Sequence, residues 1–441
     1  MKTKQIIAIC IVSATCCHAI HAQNGINTPY SRYGFGILAD HSMGFNKGMA
    51  GVAQGMRGGQ IVNIANPASY SEVDSLTALF DMGLTLQNGN YKMGTLQQNA
   101  RNTSFDYVAM HFRAARNVGI AFGALPYTNI NYDFKSSSTT VDGTDDITTS
   151  YSFTGNGGLH QAFMGIGWQV FKPISIGVNG GYVFGDYSHT STMTFNQSSI
   201  YSMLREYKAD ISTWTANFGM QFTQFINNTD RITIGATYGL GHDIKNKALR
   251  DTRTYNSSYN IEGQNIDTLR NAFSLPWTIS AGITYYKGTR FTLGADFELQ
   301  KWSKCMFPIQ ADDGTYLSRS QVLNDYMRVA IGGTFNPKGR LSYKAGAYYS
   351  HSYAKADITG VLRDKPYEYG ITAGITLPIS NKQIWYNSPR LNISVGWTHT
   401  NIPYLSNTSD KITKQTLNEN YLRLCVGLTF SERWFYKYKM E

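Results

Sequence analysis

The chain has 441 residues, and only 15% of them are charged, well below the roughly 25% of an ordinary soluble protein. With 42% hydrophobic residues it is not intrinsically disordered, and with a mean hydropathy of −0.29 and no run of roughly 18–20 apolar residues beyond the N-terminus it is not a helical membrane protein. The formal charge of +10 is scattered without a basic run, so nucleic acid is not an expected partner. Thirty Tyr, 22 Phe and 42 Gly against 11 Pro suit a large β-structure.

The N-terminus reads as an export signal. Lys2 and Lys4 precede an apolar run at 6–12, and Ala19-Ile20-His21-Ala22 offers a cleavage site before Gln23. Residues 1–22 form a signal peptide too short to span a bilayer. A lipoprotein signal on Cys16 or Cys17 is the rival reading, but Thr15 and Cys16 are poor neighbours for a lipidated cysteine. Once the signal is removed only Cys305 and Cys425 remain, too few for a disulfide framework.

Residues 23–75 are rich in Gly and small side chains and do not read as wall. From residue 76 to 430 one theme recurs: apolar residues alternate with polar or small ones. Leu422, Leu424, Val426, Leu428 and Phe430 share one face, opposite Tyr421, Arg423, Cys425, Gly427 and Thr429. Likewise Phe291, Leu293, Ala295, Phe297 and Leu299 oppose Thr292, Gly294, Asp296 and Glu298. About fourteen such segments follow, most of them as long as the roughly 9–11 residues a tilted strand needs to cross a bilayer.

Their connections alternate short and long. Short ones fall at 116, 172, 227–229, 288–289 and 336–339, with 379–389 somewhat longer; long ones fall at 90–102, 129–156, 187–205, 243–273, 302–323, 354–366 and 401–419. A soluble sandwich has no reason to sort turns by parity, whereas an outer-membrane barrel has short periplasmic turns and long outer loops. The fold class predicted is all-β, a transmembrane antiparallel β-barrel of about 14 strands in the bacterial outer membrane. Tyr127, Phe171, Tyr187, Tyr238, Tyr285, Trp302, Phe335, Tyr349 and Trp397 would supply the interface girdles. Residues 431–441, with Trp434-Phe435-Tyr436-Lys437-Tyr438-Lys439, read as a periplasmic tail.

The N-terminal segment carries a resemblance. Gly48-Met49-Ala50-Gly51-Val52-Ala53 leads to Asn63-Ile64-Ala65-Asn66-Pro67-Ala68-Ser69-Tyr70 just before the first strand. This resembles the hatch of FadL-type outer-membrane transporters, fourteen-stranded barrels plugged by an N-terminal segment. The resemblance implies passive uptake of a hydrophobic small molecule such as a fatty acid, with outer-membrane lipid around the wall. It also implies a hatch at 23–75 whose marked residues are Asn66, Pro67 and Ala68. The residues support a rigid bend by themselves, since Pro67 restricts Asn66 to extended backbone. Arg32 and Arg57 are expected to pair with lumen acids such as Asp296 and Glu298, and Arg328 shares that polar face.

In the third strand Pro126 lies with Gly119 and Gly123. Proline cannot donate to a ladder, so a kink or lateral gap is expected near 123–127. No enzyme is expected: His111, His160, His189, His242, His351 and His399 lack metal-ligand spacing, and Gly155-Asn156-Gly157-Gly158 is not a phosphate cradle. The acidic runs at Asp142, Asp145 and Asp146 and at Asp312-Asp313-Gly314 suit turns better than metal sites. No cofactor and no metal are expected. The alternative from another class is an accessory barrel subunit of an outer-membrane assembly or secretion complex, with protein partners at the C-terminal tail. The segment 29–36 and the tail motivate it, since neither is needed to close a barrel.

Overall fold

A computed structural model describes residues 27–433 apart from 95, 143–144, 312, 338–340, 356–363, 380–388 and 409–410. The expected signal peptide (1–22), residues 23–26 of the expected hatch and the expected tail from residue 434 lie outside the described residues. Two N-terminal elements come first, strand β1 (Ile37–Leu38) and the short helix α1 (Gly44–Lys47). The strands that follow are β2 (Thr77–Met93), β3 (Leu96–Ala115), β4 (Val118–Asp142), β5 (Asp145–Gln169), β6 (Ile174–Phe195), β7 (Ser202–Phe225) and β8 (Asp230–Gly239). After β9 (His242–Ile244), β10 (Lys247–Tyr255), β11 (Ile261–Arg270) and β12 (Phe273–Leu275) come β13 (Thr278–Lys287) and β14 (Phe291–Gln300). Last are β15 (Phe307–Gln310), β16 (Tyr316–Arg319), β17 (Tyr326–Phe335), β18 (Ser342–His351), β19 (Tyr367–Pro378), β20 (Arg390–Thr408) and β21 (Lys411–Arg433).

Fourteen of these strands, β2–β8, β13, β14 and β17–β21, pair antiparallel in chain order, and β21 returns to β2 from Thr77↔Arg433 to Met93↔Leu417. The wall is a closed barrel. Its side chains divide as the alternation requires: on β2 Phe80, Leu84 and Leu86 are exposed while Asp81, Thr85 and Gln87 are buried inward. Around the ring Phe122, Ile166, Phe218, Ile234, Ile283, Leu293, Ile331, Ile371 and Leu424 continue the exposed apolar belt. A belt of that extent is stable only against hydrocarbon. The chain is a bacterial outer-membrane β-barrel that crosses with strands.

Several expected outer loops are strand instead. β2 and β3 extend to Met93 and from Leu96, β4 and β5 to Asp142 and from Asp145, and β20 and β21 to Thr408 and from Lys411. Their outer parts are rich in Ser, Thr and Asn, and the short alternations they do carry, such as Ile130, Tyr132 and Phe134, face the core beneath the loops, while their backbones pair as hairpins. The wall also divides at β7: Asn217–Phe225 pairs with β8, while Ser202–Ala209 pairs with β10. The last strand includes residues 431–433, which were expected to open the tail. Three expected girdle aromatics lie elsewhere: Tyr127 lines a lumen cavity, and two more are in the core. Tyr187 and Trp302 are buried with Tyr30, Phe35, Phe273 and Tyr353 in an aromatic core under the outer loops, because the loops fold down onto the N-terminal segment.

That segment threads the lumen from the outer end to the periplasmic end. Near the top Phe35 N donates to the Tyr353 hydroxyl at 2.9 Å, and that hydroxyl donates to Gly36 O at 2.6 Å. Lower down, the segment's backbone lies directly on wall glycines. A Cβ on Gly235 would meet Gln54 O, one on Gly346 would lie 2.5 Å from Met49 C, and one on Gly119 would meet Tyr70 O. Gly177 and Gly219 receive Pro67 in the same way. Side-chain-free patches on facing strands let backbone touch backbone across the lumen. Gly235→Val would force a side chain into the Gln54 carbonyl, an overpacking worth roughly 1–3 kcal/mol. The expected result is a folded, heat-modifiable barrel whose hatch is displaced, read as higher single-channel conductance than the parent.

Candidate ligand cavity and lateral seam

The 3-10 turn Pro67–Glu72 is the floor of the hatch. Asn66 is extended (φ −132°, ψ 105°), and its Oδ1 accepts from Ala68 N at 3.1 Å. Its Nδ2 donates to Gln54 O at 3.0 Å and to Met220 O of the wall at 3.3 Å. Asn66, Pro67 and Ala68 are all buried. Above this turn, Asp296 of β14 accepts from Ala53 N at 2.6 Å and Gln54 N at 2.9 Å, and Arg328 of β17 donates to Ala50 O at 2.8 Å. Asp296 and Arg328 therefore hold hatch backbone, not hatch side chains.

The expected arginine pairs form differently. Arg57 reaches Glu72 of its own segment at 2.8 Å and Ser175 at 2.7 Å, and Arg32 sits over the Phe153 ring at 4.4 Å near the outer end. Neither meets Asp296 or Glu298; Glu298 accepts from Gln300 at 2.8 Å. Arg32 is too high in the lumen, and Glu72 is nearer to Arg57.

A seam runs between β3 and β4. Their ladder extends from Ala115↔Val118 to Val108↔Ala124 and ends there. Beyond it, β4 pairs with β5 through a register shift between Pro126 and Thr128, so Tyr127 is bulged. Facing this bulge, Gly157 (φ +116°), Gly158 (φ +150°) and Gly185 (φ +146°) adopt backbone open to glycine, which lets β5 and β6 bend with β4. On the other side of the seam, β3 has its own bulge: Gly83 faces Tyr107 and Leu84 faces Phe105, leaving Asp106 extra. The free β4 edge is taken by β1, with Ile37↔Asn129 and Leu38↔Thr128 and Ala39 N bonded to Tyr127 O at 3.0 Å. Of the three residues expected at a gap, Pro126 is at the bulge and Gly123 is one residue below the ladder's end. Gly119 is paired on both sides and serves as the seat of Tyr70.

Behind the seam is a cavity of about 340 Å³ between the hatch and the wall, reaching Phe105, Asp106, Pro126 and Tyr127 at the seam's edge. Tyr127, expected in a girdle, lines it. The hatch closes one side with Lys47, whose ammonium is 3.0 Å from Asp106 and 3.7 Å from Asp40. Burial works against that charge, but Asp106 and Asp40 outweigh it and hold the ammonium protonated. His41 lines the same cavity with its ring beside Tyr127 at 5.9 Å; burial lowers its pKa from 6.5 although Glu298 and Asp40 oppose the shift. Lys47, Asp106, Glu368, Glu419 and Arg423 were not singled out in the sequence. Asp106, Glu368 and Arg423 share membership of polar strand faces, which does not say which faces meet, whereas Lys47 sits in α1 and Glu419 in a stretch expected as an outer loop.

The BamG family model matches residues 1–441. No curated protein matches in sequence. Among solved structures, a Pseudomonas aeruginosa FadL homologue is similar at 13% identity over 88% of this chain and 98% of that one, with TM-score 0.58. The Pseudomonas putida toluene transporter TodX matches at 12% identity over 89% and 98%, TM-score 0.58. The Ralstonia pickettii toluene transporter TbuX matches at 13% over 87% and 97%, TM-score 0.54. The FadL-type likeness therefore holds for the fold, while the family matched carries a different name.

Two outcomes follow from the Lys47 and His41 contacts. Lys47→Met strands the buried Asp106 with only Thr85 and Ser104 as donors, a cost of about 3–5 kcal/mol for an uncompensated buried charge. Hatch protease sensitivity is expected to rise in that variant and to fall again in Lys47→Met/Asp106→Asn. His41 binds its proton less readily docked than free, so its contribution is present above pH 6.5 and is lost as pH falls below that value. Conductance is expected to rise on acidification below about pH 6.5, and His41→Phe to flatten that rise.

Proposed function

The chain belongs to the BamG family, and from that premise we propose that it is a passive outer-membrane channel for hydrophobic ligands, fatty-acid-like in being a hydrocarbon chain with a polar end. One observation carries the reading: the lumen cavity meets the wall where β3 and β4 part, at Phe105 and Pro126. A ligand captured under the outer loops enters between hatch and wall and leaves sideways through the seam into the bilayer, or downward when the hatch shifts. The sideways route keeps the apolar chain out of periplasmic water, which is worth about 0.8 kcal/mol per CH₂. That two barrels of this fold are described as toluene transporters supports the reading. The chemistry required is binding and release, so the protein acts as a channel and not as an enzyme.

The gate in this reading is β1, which occupies the β4 edge that β3 leaves. Ile37→Cys/Asn129→Cys joins two directly opposed residues, within the Cα separation of about 4.5–5.5 Å that a cross-strand bridge requires. Oxidation is expected to halt uptake of a fluorescent alkyl probe into proteoliposomes, and reduction to restore it. Unchanged uptake in a fully cross-linked sample would falsify the β1 gate.

A further inference from the structure

The walls of the cavity are not those of a hydrocarbon pocket. Six carboxylates line it, from Asp40, Asp106, Asp296, Glu298, Glu368 and Glu419, against three permanent cations, Lys47, Arg328 and Arg423. All three cations are engaged. Lys47 holds Asp106, Arg328 bonds Ala50 O and lies over Tyr348 at 4.8 Å, and Arg423 bonds Gln87 at 2.8 Å and Thr398 at 3.2 Å. Glu368 accepts only from neutral hydroxyls, Tyr348 at 2.6 Å and Thr400 at 3.2 Å, and Glu419 only from Thr28 and Tyr421. Neither has a contact ion pair among the described residues, and Arg423 acts on both only from farther off. Tyr326, Tyr348 and Tyr421 stand beside them on the same wall.

A second feature is independent of the acids. Gln87 lines the cavity and is only 7% exposed, and its Oε1 is taken by Arg423, yet its Nε2 has no partner among the described residues. A buried amide donor without an acceptor is left short of a hydrogen bond, and a ligand oxygen supplies it. Carboxylates with no cation in contact and an amide lacking an acceptor specify different ends of one polar group.

We propose that the cavity recognises the head of an amphiphile bearing a primary ammonium with an oxygen acceptor beside it, the ammonium between Glu368 and Glu419 and the oxygen on Gln87. This rests on the uptake reading above and names its ligand class: the alkyl tail lies in the seam against Phe105, and the head stays in the lumen. Both a zwitterionic lipid and a free amino-alcohol amphiphile present this chemistry.

The test uses the intact barrel in detergent, titrated with dodecylamine, 2-aminododecan-1-ol, dodecanol and dodecanoate. The amines are expected to bind at least tenfold more tightly than the alcohol or the carboxylate, with the amino alcohol the tightest. Glu368→Gln and Glu419→Gln, each heat-modifiable and therefore folded, are expected to lose roughly tenfold in amine affinity while leaving dodecanol unchanged. Gln87→Leu is expected to weaken the amino alcohol alone. Displacement of the amine by phosphatidylethanolamine in mixed micelles assigns the head to a bilayer lipid; failure to displace it assigns a free amphiphile, and either result keeps the ammonium class. Equal binding of all four probes, or preference for dodecanoate, overturns the headgroup and leaves hydrophobic uptake standing. Binding of none of them overturns both readings.

Discussion

Every backbone N–H and C=O in hydrocarbon must find a partner within the protein, and the rest of this molecule follows from how it meets that demand. The return of β21 to β2 closes the ring from Thr77↔Arg433 upward, so the belt of Phe, Ile and Leu can face lipid without an open edge. At the seam of β3 and β4 the wall ladder stops at Val108↔Ala124, and the hatch supplies part of what is missing through β1. The N-terminal segment is thus a partial wall strand at the seam. Its docking and the integrity of the wall are set by the same hydrogen bonds.

Part of the hold on the N-terminal segment is on its backbone, beside side-chain contacts such as Lys47 with Asp106 and Tyr70 with Asn179. Wall glycines such as Gly235 and Gly346 remove the layer of atoms that separates most packed elements, and Asp296 and Arg328 then grip peptide groups directly. Bonds to peptide groups do not depend on which side chain the hatch carries. This accounts for a segment of small residues being held so closely without a large apolar core of its own. The aromatic core around Phe35, Trp302 and Tyr353 holds its upper end and ties the outer loops to the plug.

Polarity divides the cavity from the path beside it. Phe105 at the seam is 47% exposed to the outside, whereas the lumen side presents Glu368, Glu419, Arg423 and Gln87. An opening with an apolar lip and a charged interior suits a molecule with two unlike ends. The bulges that create the lip, at Asp106 and at Tyr127, also aim Asp106 at Lys47. Position of the hatch and shape of the lip are therefore mechanically linked at one point.

The sequence by itself determined the class of structure, because period-two alternation and the parity of turn length are local properties written along each strand. Fourteen wall strands, an inward Asp296 and Glu298, and the disruption of β4 at Pro126 are all of this kind: each follows from a strand's two faces or from a missing N–H. Tertiary structure alone decided what meets across the lumen. Arg57 found Glu72 instead of Asp296, Gly119 became a seat for Tyr70, and Tyr127 turned from the expected girdle into the cavity. Polar hairpin extensions beyond the bilayer were also decided there, since backbone pairing needs no side-chain pattern. Contacts between residues hundreds of positions apart, such as Thr28 with Glu419, depend on strand tilt and ring closure, and neither leaves a periodic mark on one chain.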